Sequence, residues 1–409
     1  MRVRRSLGVL AALATTGLVL AACGGGSAST PAASGSGGGA GSTRMPDPPA
    51  GTKATAVGAG EGQLNLIAWA GYAENGSIDK TIDWVTPFTQ ASGCQVNVKI
   101  GNTSDEMVTL MKTGQYDGVS ASGDATLRLI YGGDVAPVNT DLVPNYATIS
   151  DFLKLRPWNA VNGVAYGIPH GWGANVLLYN KAVVTSPPDS WGVVFDPASP
   201  YKGKVTAYDS PIYIADAALY LKATKPDLKI TNPYELDDAQ FTAAVDLLKQ
   251  QKGLVGEYWS DYTKAVSAIE SGNTVLGTSW QVIANLVQSD KKVEIGTVLP
   301  KEGATGWSDT WMVASKAAHP NCMYKWMDWI TSPKVNAQVA EYFGEAPAQT
   351  KACENTSDKG FCDTFHALDK AYADQIAYWT TPTKSCGDGR GTVCKDYAAW
   401  TQAWTTIKG

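Results

Sequence analysis

Short apolar runs that end in an aromatic or small polar residue, each followed by a helix signal, constrain this chain most. Leu64-Asn65-Leu66-Ile67-Ala68-Trp69 reads as a buried first strand and closes in Trp69-Ala70-Gly71-Tyr72. Ser77 is placed to cap a helix carrying Ile78, Ile82, Val85 and Phe88 on one face, which Gly93 ends. Val96, Val98 and Ile100 alternate in the next strand, and Thr103 with Glu106 forms a capping box before a further helix. A third strand over 116–120 opens into Ala121-Ser122-Gly123-Asp124. Strands alternating with helices predict a parallel sheet with crossovers, that is, an α/β fold. Ligands on such sheets bind beyond the carboxyl ends of the strands, here 69–72 and 122–124.

The same grammar recurs further on. Val205 to Tyr208 is a strand ending at Asp209-Ser210-Pro211, and Val275-Leu276-Gly277-Thr278-Ser279-Trp280 is another ending in Trp. Helices are expected near 212–224, 236–251 and 265–270, then over an aromatic-rich stretch with Met323, Trp326, Met327, Trp329 and Ile330, and over 333–342. The glycine-rich segment Gly167-Ile168-Pro169-His170-Gly171-Trp172-Gly173 suits a crossover between two lobes. At 409 residues the chain exceeds one compact core and suits two domains.

Thr305-Gly306-Trp307-Ser308-Asp309-Thr310-Trp311 is the most chemically suggestive stretch. Strand alternation puts Trp307, Asp309 and Trp311 on one face. Ring faces beside a carboxylate hold organic cations, because the ring quadrupole attracts the charge and the acid pairs with it. A Trp-rich structural strand with a solvated Asp would carry the same pattern. Trp is twice as frequent as Phe, 14 against 7, which favours flat faces with a polar edge.

The start of the chain reads as export machinery. Arg2, Arg4 and Arg5 precede an apolar run, and Leu20-Ala21-Ala22-Cys23 then forms a lipobox. Residues 1–22 are thus expected to be a lipoprotein signal, and Cys23 to carry lipid. Residues 23–60 are Gly-, Ala-, Ser- and Pro-rich and read as a tether. Acidic residues outnumber basic ones, 38 to 33, and losing three leader arginines sharpens the excess. That balance argues against nucleic acid and is compatible with a cationic ligand. Six cysteines remain beside Cys23, an even number in an oxidising compartment. The short loops favour Cys353 with Cys362 and Cys386 with Cys394, leaving Cys94 for Cys322. A metal or other cofactor is not expected, since no Cys-x-x-Cys occurs and only His170, His319 and His366 could join thiols.

From about Leu64 to Trp379 the chain resembles the bacterial spermidine/putrescine-binding proteins of ABC importers. The matching runs are Ala68-Trp69-Ala70-Gly71-Tyr72, Gly114-Gln115-Tyr116-Asp117-Gly118-Val119, Tyr166-Gly167-Ile168-Pro169 with Trp172-Gly173, Tyr201-Lys202-Gly203-Lys204, Leu299-Pro300-Lys301-Glu302-Gly303 through Asp309, and Gly344-Glu345-Ala346-Pro347. Their order and spacing carry the likeness. It implies a two-lobed periplasmic-binding-protein fold, each lobe a mostly parallel sheet flanked by helices, joined by hinge strands. Lobe 1 would comprise 61–172 and 307–345, and lobe 2 would comprise 173–306 and 346–409 with a Cys-rich tail. Trp69, Tyr72, Ser122, Trp280, Trp307 and Asp309 match the family's ligand-lining positions. The family acid between the first-strand Trp and Tyr is Gly71 here, and two acids after a second-lobe strand are Ser210 and Tyr213. Asp124, Asp209 and Glu345 are the acids available in their place.

The resemblance implies a monomeric, lipid-anchored extracellular receptor that captures a polyamine-like organic cation and hands it to ABC permease subunits. A quaternary amine or amino compound is the alternative cargo. A secreted enzyme is the remote alternative. No Gly-x-Ser-x-Gly, His-Glu-x-x-His or Walker-type run occurs, and only carboxylate-based hydrolysis lacks a spacing signature.

Overall fold

The computed structural model describes residues 45–409, so the leader and Cys23 lie outside the described residues. The strands are β1 (Gln63–Ala68), β2 (Gln95–Ile100), β3 (Gly118–Ala121), β4 (Ala160–Val161), β5 (Val164–Ala165), β6 (Ile168–Asn180), β7 (Val205–Tyr208), β8 (Val255–Trp259), β9 (Leu276–Trp280), β10 (Ile295–Val298), β11 (Ala304–Val313), β12 (Ala346–Pro347) and β13 (Ile376–Tyr378). Eleven of them form one mixed sheet in the order β2-β1-β3-β11-β6-β9-β7-β8, with β10 and β12 added to β6 and β13 to β11. β4 and β5 pair separately.

The sheet has a simple logic. β2, β1 and β3 form one parallel trio, and β8, β7 and β9 form another. The long strands β11 and β6 join them through antiparallel pairing of β11 with β3, of β11 with β6 and of β6 with β9, while β13 adds to β11 in parallel. A parallel trio needs helical crossovers, and the chain supplies them in Val85–Ser92, Ser104–Met111, Tyr262–Glu270 and others. β1 is buried along Leu64, Leu66, Ile67 and Ala68, as a strand covered on both faces must be.

Most expected elements form. Helices span Ile214–Thr224, Asp238–Gln251, Pro320–Ile330, Pro333–Phe343 and Tyr397–Lys408. Two local expectations fail. The helix expected from Ser77 begins only at Val85, and Ile78 is 80% exposed. Asn75 and Asp79 accept from the backbone of Ser77 and Thr81, and Asn75 bridges to Asp83, so side-chain turns replace the first helical turns. The capping box at Thr103 is half made. Its hydroxyl accepts from Glu106 N at 3.1 Å, while the Glu106 carboxylate turns to Asn102 instead.

The expected tether also ends earlier than 60. Asn139 Nδ2 donates to Ala54 O, Asn321 Oδ1 accepts from Gly58 N at 2.7 Å, and Met45, Ala54 and Val57 pack against the core. Body side chains thus satisfy the polar backbone of a segment that has little apolar surface of its own. The three disulfides are Cys94–Cys322, Cys353–Cys362 and Cys386–Cys394, the pairing that the loop lengths favoured.

Candidate functional site

Strand ends from both trios converge on one place. Trp69 follows β1, Ser122 follows β3, Trp280 ends β9, and Trp307 and Asp309 sit in the middle of β11. With Phe343 and Trp379 they enclose an empty volume of about 230 Å³. Every lining group is apolar or aromatic except Ser122 and Asp309. The rings also touch one another: Trp69 and Trp280 meet edge-on at 6.1 Å, and Trp307 meets Phe343 at 5.9 Å and 87°. A second cavity of about 360 Å³ shares Trp69, Trp280 and Phe343 and adds Ala70, Ile100 to Asn102, and Ser260 to Tyr262.

Asp309 is 3% exposed and fully engaged. Ser122 Oγ donates to Oδ1 at 2.5 Å, and Tyr72 Oη lies 2.8 Å from Oδ2. Tyr72 Oη is also 2.8 Å from Glu345 Oε2. Burial raises Asp309 to about 7, against the lowering pull of Ser122 and Tyr72. Burial pushes Glu345 well above the usual carboxylate range, with Asp309 adding to the rise. His170 is driven down to about 3 by burial, so the 3.6 Å approach of its Nδ1 to Glu345 joins two neutral groups.

Local sequence builds this arrangement. The bulge between β11 and β6 pairs Asp309 with Gly171 and Thr310 with Pro169, leaving His170 as the unpaired extra residue. A Cβ on Gly171 would lie 2.1 Å from the Glu345 carboxyl, so glycine there is what admits Glu345. Gly344 at φ 82° ends the helix Pro333–Phe343 and turns Glu345 inward.

The expected residues divide clearly. Trp69, Ser122, Trp280, Trp307 and Asp309 line the cavity. Tyr72 and Glu345 stand behind Asp309 rather than in the cavity wall. Trp311 shares the Asp309 face, as strand alternation requires, but packs on Trp326 at 5.5 Å and is core. Three expected acids or their stand-ins are elsewhere. Asp124 sits in the first turn of the helix Gly123–Gly132 and accepts from Ser104 Oγ at 2.8 Å, with burial raising it to about 6. Asp209 accepts from Trp404 Nε1 at 3.0 Å and pairs with Lys408. Tyr213 is buried beside Gln251, whose Nε2 donates to its hydroxyl at 2.9 Å, and beside Trp404. The C-terminal helix Tyr397–Lys408 accounts for the last two, because it covers the end of β7. Phe343 and Trp379 were missed. Trp379 directly follows β13, the same strand-end grammar as Trp69 and Trp280.

The sequence pattern of bacterial extracellular solute-binding proteins matches residues 83–361. The chain belongs to that family. It is a family of substrate-binding proteins of transport systems, and the family resemblance read from the sequence is borne out. The putrescine-binding periplasmic protein SpuD of Pseudomonas aeruginosa is 24% identical over 366 residues, covering 84% of this chain and 91% of that one. The spermidine/putrescine-binding periplasmic protein of Escherichia coli is 25% identical over 285 residues, covering 69% and 76%. The TpPotD lipoprotein of Treponema pallidum superposes with a TM-score of 0.65 at 15% identity, covering 84% and 99%, which establishes the shared periplasmic-binding-protein fold.

Proposed function

We propose that this protein is a receptor that captures an organic cation of the polyamine kind outside the cytoplasm and delivers it to the permease of an ABC importer. One observation carries the reading: the inner cavity presents five aromatic rings and a single buried acid, Asp309. Aromatic faces attract a desolvated ammonium by about 0.5–2 kcal/mol each, and the carboxylate supplies the paired charge. Relatives named for binding putrescine or spermidine support the same chemistry.

Capture proceeds by closure of two lobes, 61–172 with 307–345 against 173–306 with 346–409, about the crossing strands β6 and β11. The convergence of two parallel trios on one cavity supports this, since each trio supplies one wall. Lipid on Cys23 holds the receptor at the cell surface, and the lipobox residues Leu20-Ala21-Ala22-Cys23 support that anchor. The excess of ring faces over acids favours a quaternary amine as the second cargo reading.

Calorimetric titration of the purified protein with putrescine, spermidine, agmatine and choline tests the proposal, alongside mass spectrometry of any small molecule that co-purifies. Stoichiometric binding of one of these cations is expected. Absence of heat with all four, together with a co-purifying anion or neutral sugar, would overturn it.

A further inference from the structure

The C-terminal tail is built into the cavity wall. β13 adds to β11, and Trp379 N then donates to Gly306 O at 2.7 Å. The Trp379 ring stacks on Tyr208 at 5.6 Å and 8°, and Tyr208 in turn lies 5.3 Å from Trp280. On the other side, a Cβ on Gly123 would lie 1.8 Å from Trp379 O, so the tail presses directly on the start of the helix Gly123–Gly132. Thr381 Oγ1 clamps that contact, donating to Asp124 O at 2.8 Å and accepting from Leu127 N at 3.2 Å. Cys386–Cys394 staples the segment that follows.

The tail closes one of the two directions in which a long ligand could extend, the other being the outer cavity. Trp379 lines only the inner cavity, as do Ser122, Trp307 and Asp309, while Trp69, Trp280 and Phe343 are shared with the outer one. Trp379 is therefore part of the inner wall, away from the junction with the outer cavity. Behind it, the end of β7 is occupied by the tail: Trp379 on Tyr208, and Trp404 with Lys408 on Asp209. A second ammonium reaching that way would meet indole rings and a lysine instead of a free acid. Burying an unpaired charge there costs several kcal/mol or forces deprotonation.

Accordingly, we propose that the disulfide-stapled tail, through Trp379, sets the length of cation that the site accepts, admitting a short one anchored on Asp309 and rejecting a longer one. This rests on the organic-cation reading above.

The test compares putrescine with spermidine by calorimetry on the wild-type protein, Trp379→Ala and Trp379→Phe, with thermal melts to confirm folding. The wild type is expected to prefer putrescine by about tenfold or more, and Trp379→Ala to lose most of that preference by gaining spermidine. Trp379→Phe keeps a ring in the wall and is expected to retain it. If Trp379→Ala does not fold, Trp379→Leu, which fills the core but shortens the wall, takes its place. A wild type that prefers spermidine, or an affinity ratio unchanged in the folded variants, would overturn the role of the tail while leaving the cation reading intact. If neither ligand binds any of the proteins, the role of the tail falls, and the cation reading then stands or falls with agmatine and choline.

Discussion

Asp309 and Glu345 share one hydroxyl: Tyr72 Oη lies 2.8 Å from an oxygen of each. A phenol has a single proton to donate, so two ionised carboxylates cannot both be satisfied by it. One acid must carry a proton and donate to the phenol oxygen while the phenol donates to the other. Glu345 is that acid, since burial and the neighbouring Asp309 raise it well above its ordinary range. His170 cannot relieve it by charging, being held down to about 3. The triad therefore presents one removable proton behind the cavity and one at Asp309, which faces it.

Asp309→Asn keeps the shape and removes the charge. Affinity for the cation is expected to fall at least about a hundredfold, because a charge-assisted hydrogen bond and the paired ion are lost together. Calorimetry on the variant checks this, and near-unchanged affinity would remove Asp309 from the role of counter-ion.

Binding is expected to depend on pH with a midpoint near the Asp309 value of about 7. The ammonium pairs with the ionised acid, so affinity should drop roughly tenfold per pH unit below that point and level off above it. The stability of the ligand-free protein runs the other way. A folded-state value raised above the ordinary 3.8 contributes stability that is present below about 4 and is lost as pH rises through about 7. The melting temperature of Asp309→Asn should accordingly vary less between pH 5 and 8 than that of the wild type.

Tyr72→Phe removes the shared donor and leaves two buried carboxyls without it. A loss of about 1–3 kcal/mol in stability is expected. The pH midpoint for binding should also move upward, since the Tyr72 hydroxyl now lowers Asp309. Denaturant melts and titrations at several pH values check the two effects. A purely structural Tyr72 would give the first and not the second.

Cys94 and Cys322 tie the residue before β2 to the helix Pro320–Ile330 across a sequence separation of 228 residues. Replacing both by serine should cost about 2–4 kcal/mol, as a long loop is released in the unfolded chain. Cys353→Ser with Cys362→Ser, closing a separation of only 9, should cost less. Equal losses in denaturant melts would contradict the loop-length account.

Much of the site was legible because strand ends are local events. Trp69, Ser122 and Trp280 each terminate an apolar run, and the parallel α/β pattern sends such ends to one edge. Glu345 was legible as an acid near the site, but its place behind Tyr72 was not, because that depends on the space left by Gly171 on another strand. Asp209 and Tyr213 illustrate the opposite error. They follow a strand as the cavity residues do, yet a helix nearly two hundred residues later covers them, its Lys408 separated from Asp209 by 199 positions. Trp379 had the right local grammar, but the strand it follows is only Ile376–Tyr378, too short an apolar run to stand out in the sequence.

The amino-acid sequence alone determined the α/β alternation, the aromatic strand ends, the Trp307–Asp309 pair on one strand face and the short disulfide loops. Each follows from residue spacing within a few turns or one strand. Only the tertiary structure decided which acids face the cavity and which are spent elsewhere. A carboxylate takes its role from the partners that surround it, and for Asp309, Glu345 and Asp209 those partners come from strands and helices far apart in the chain.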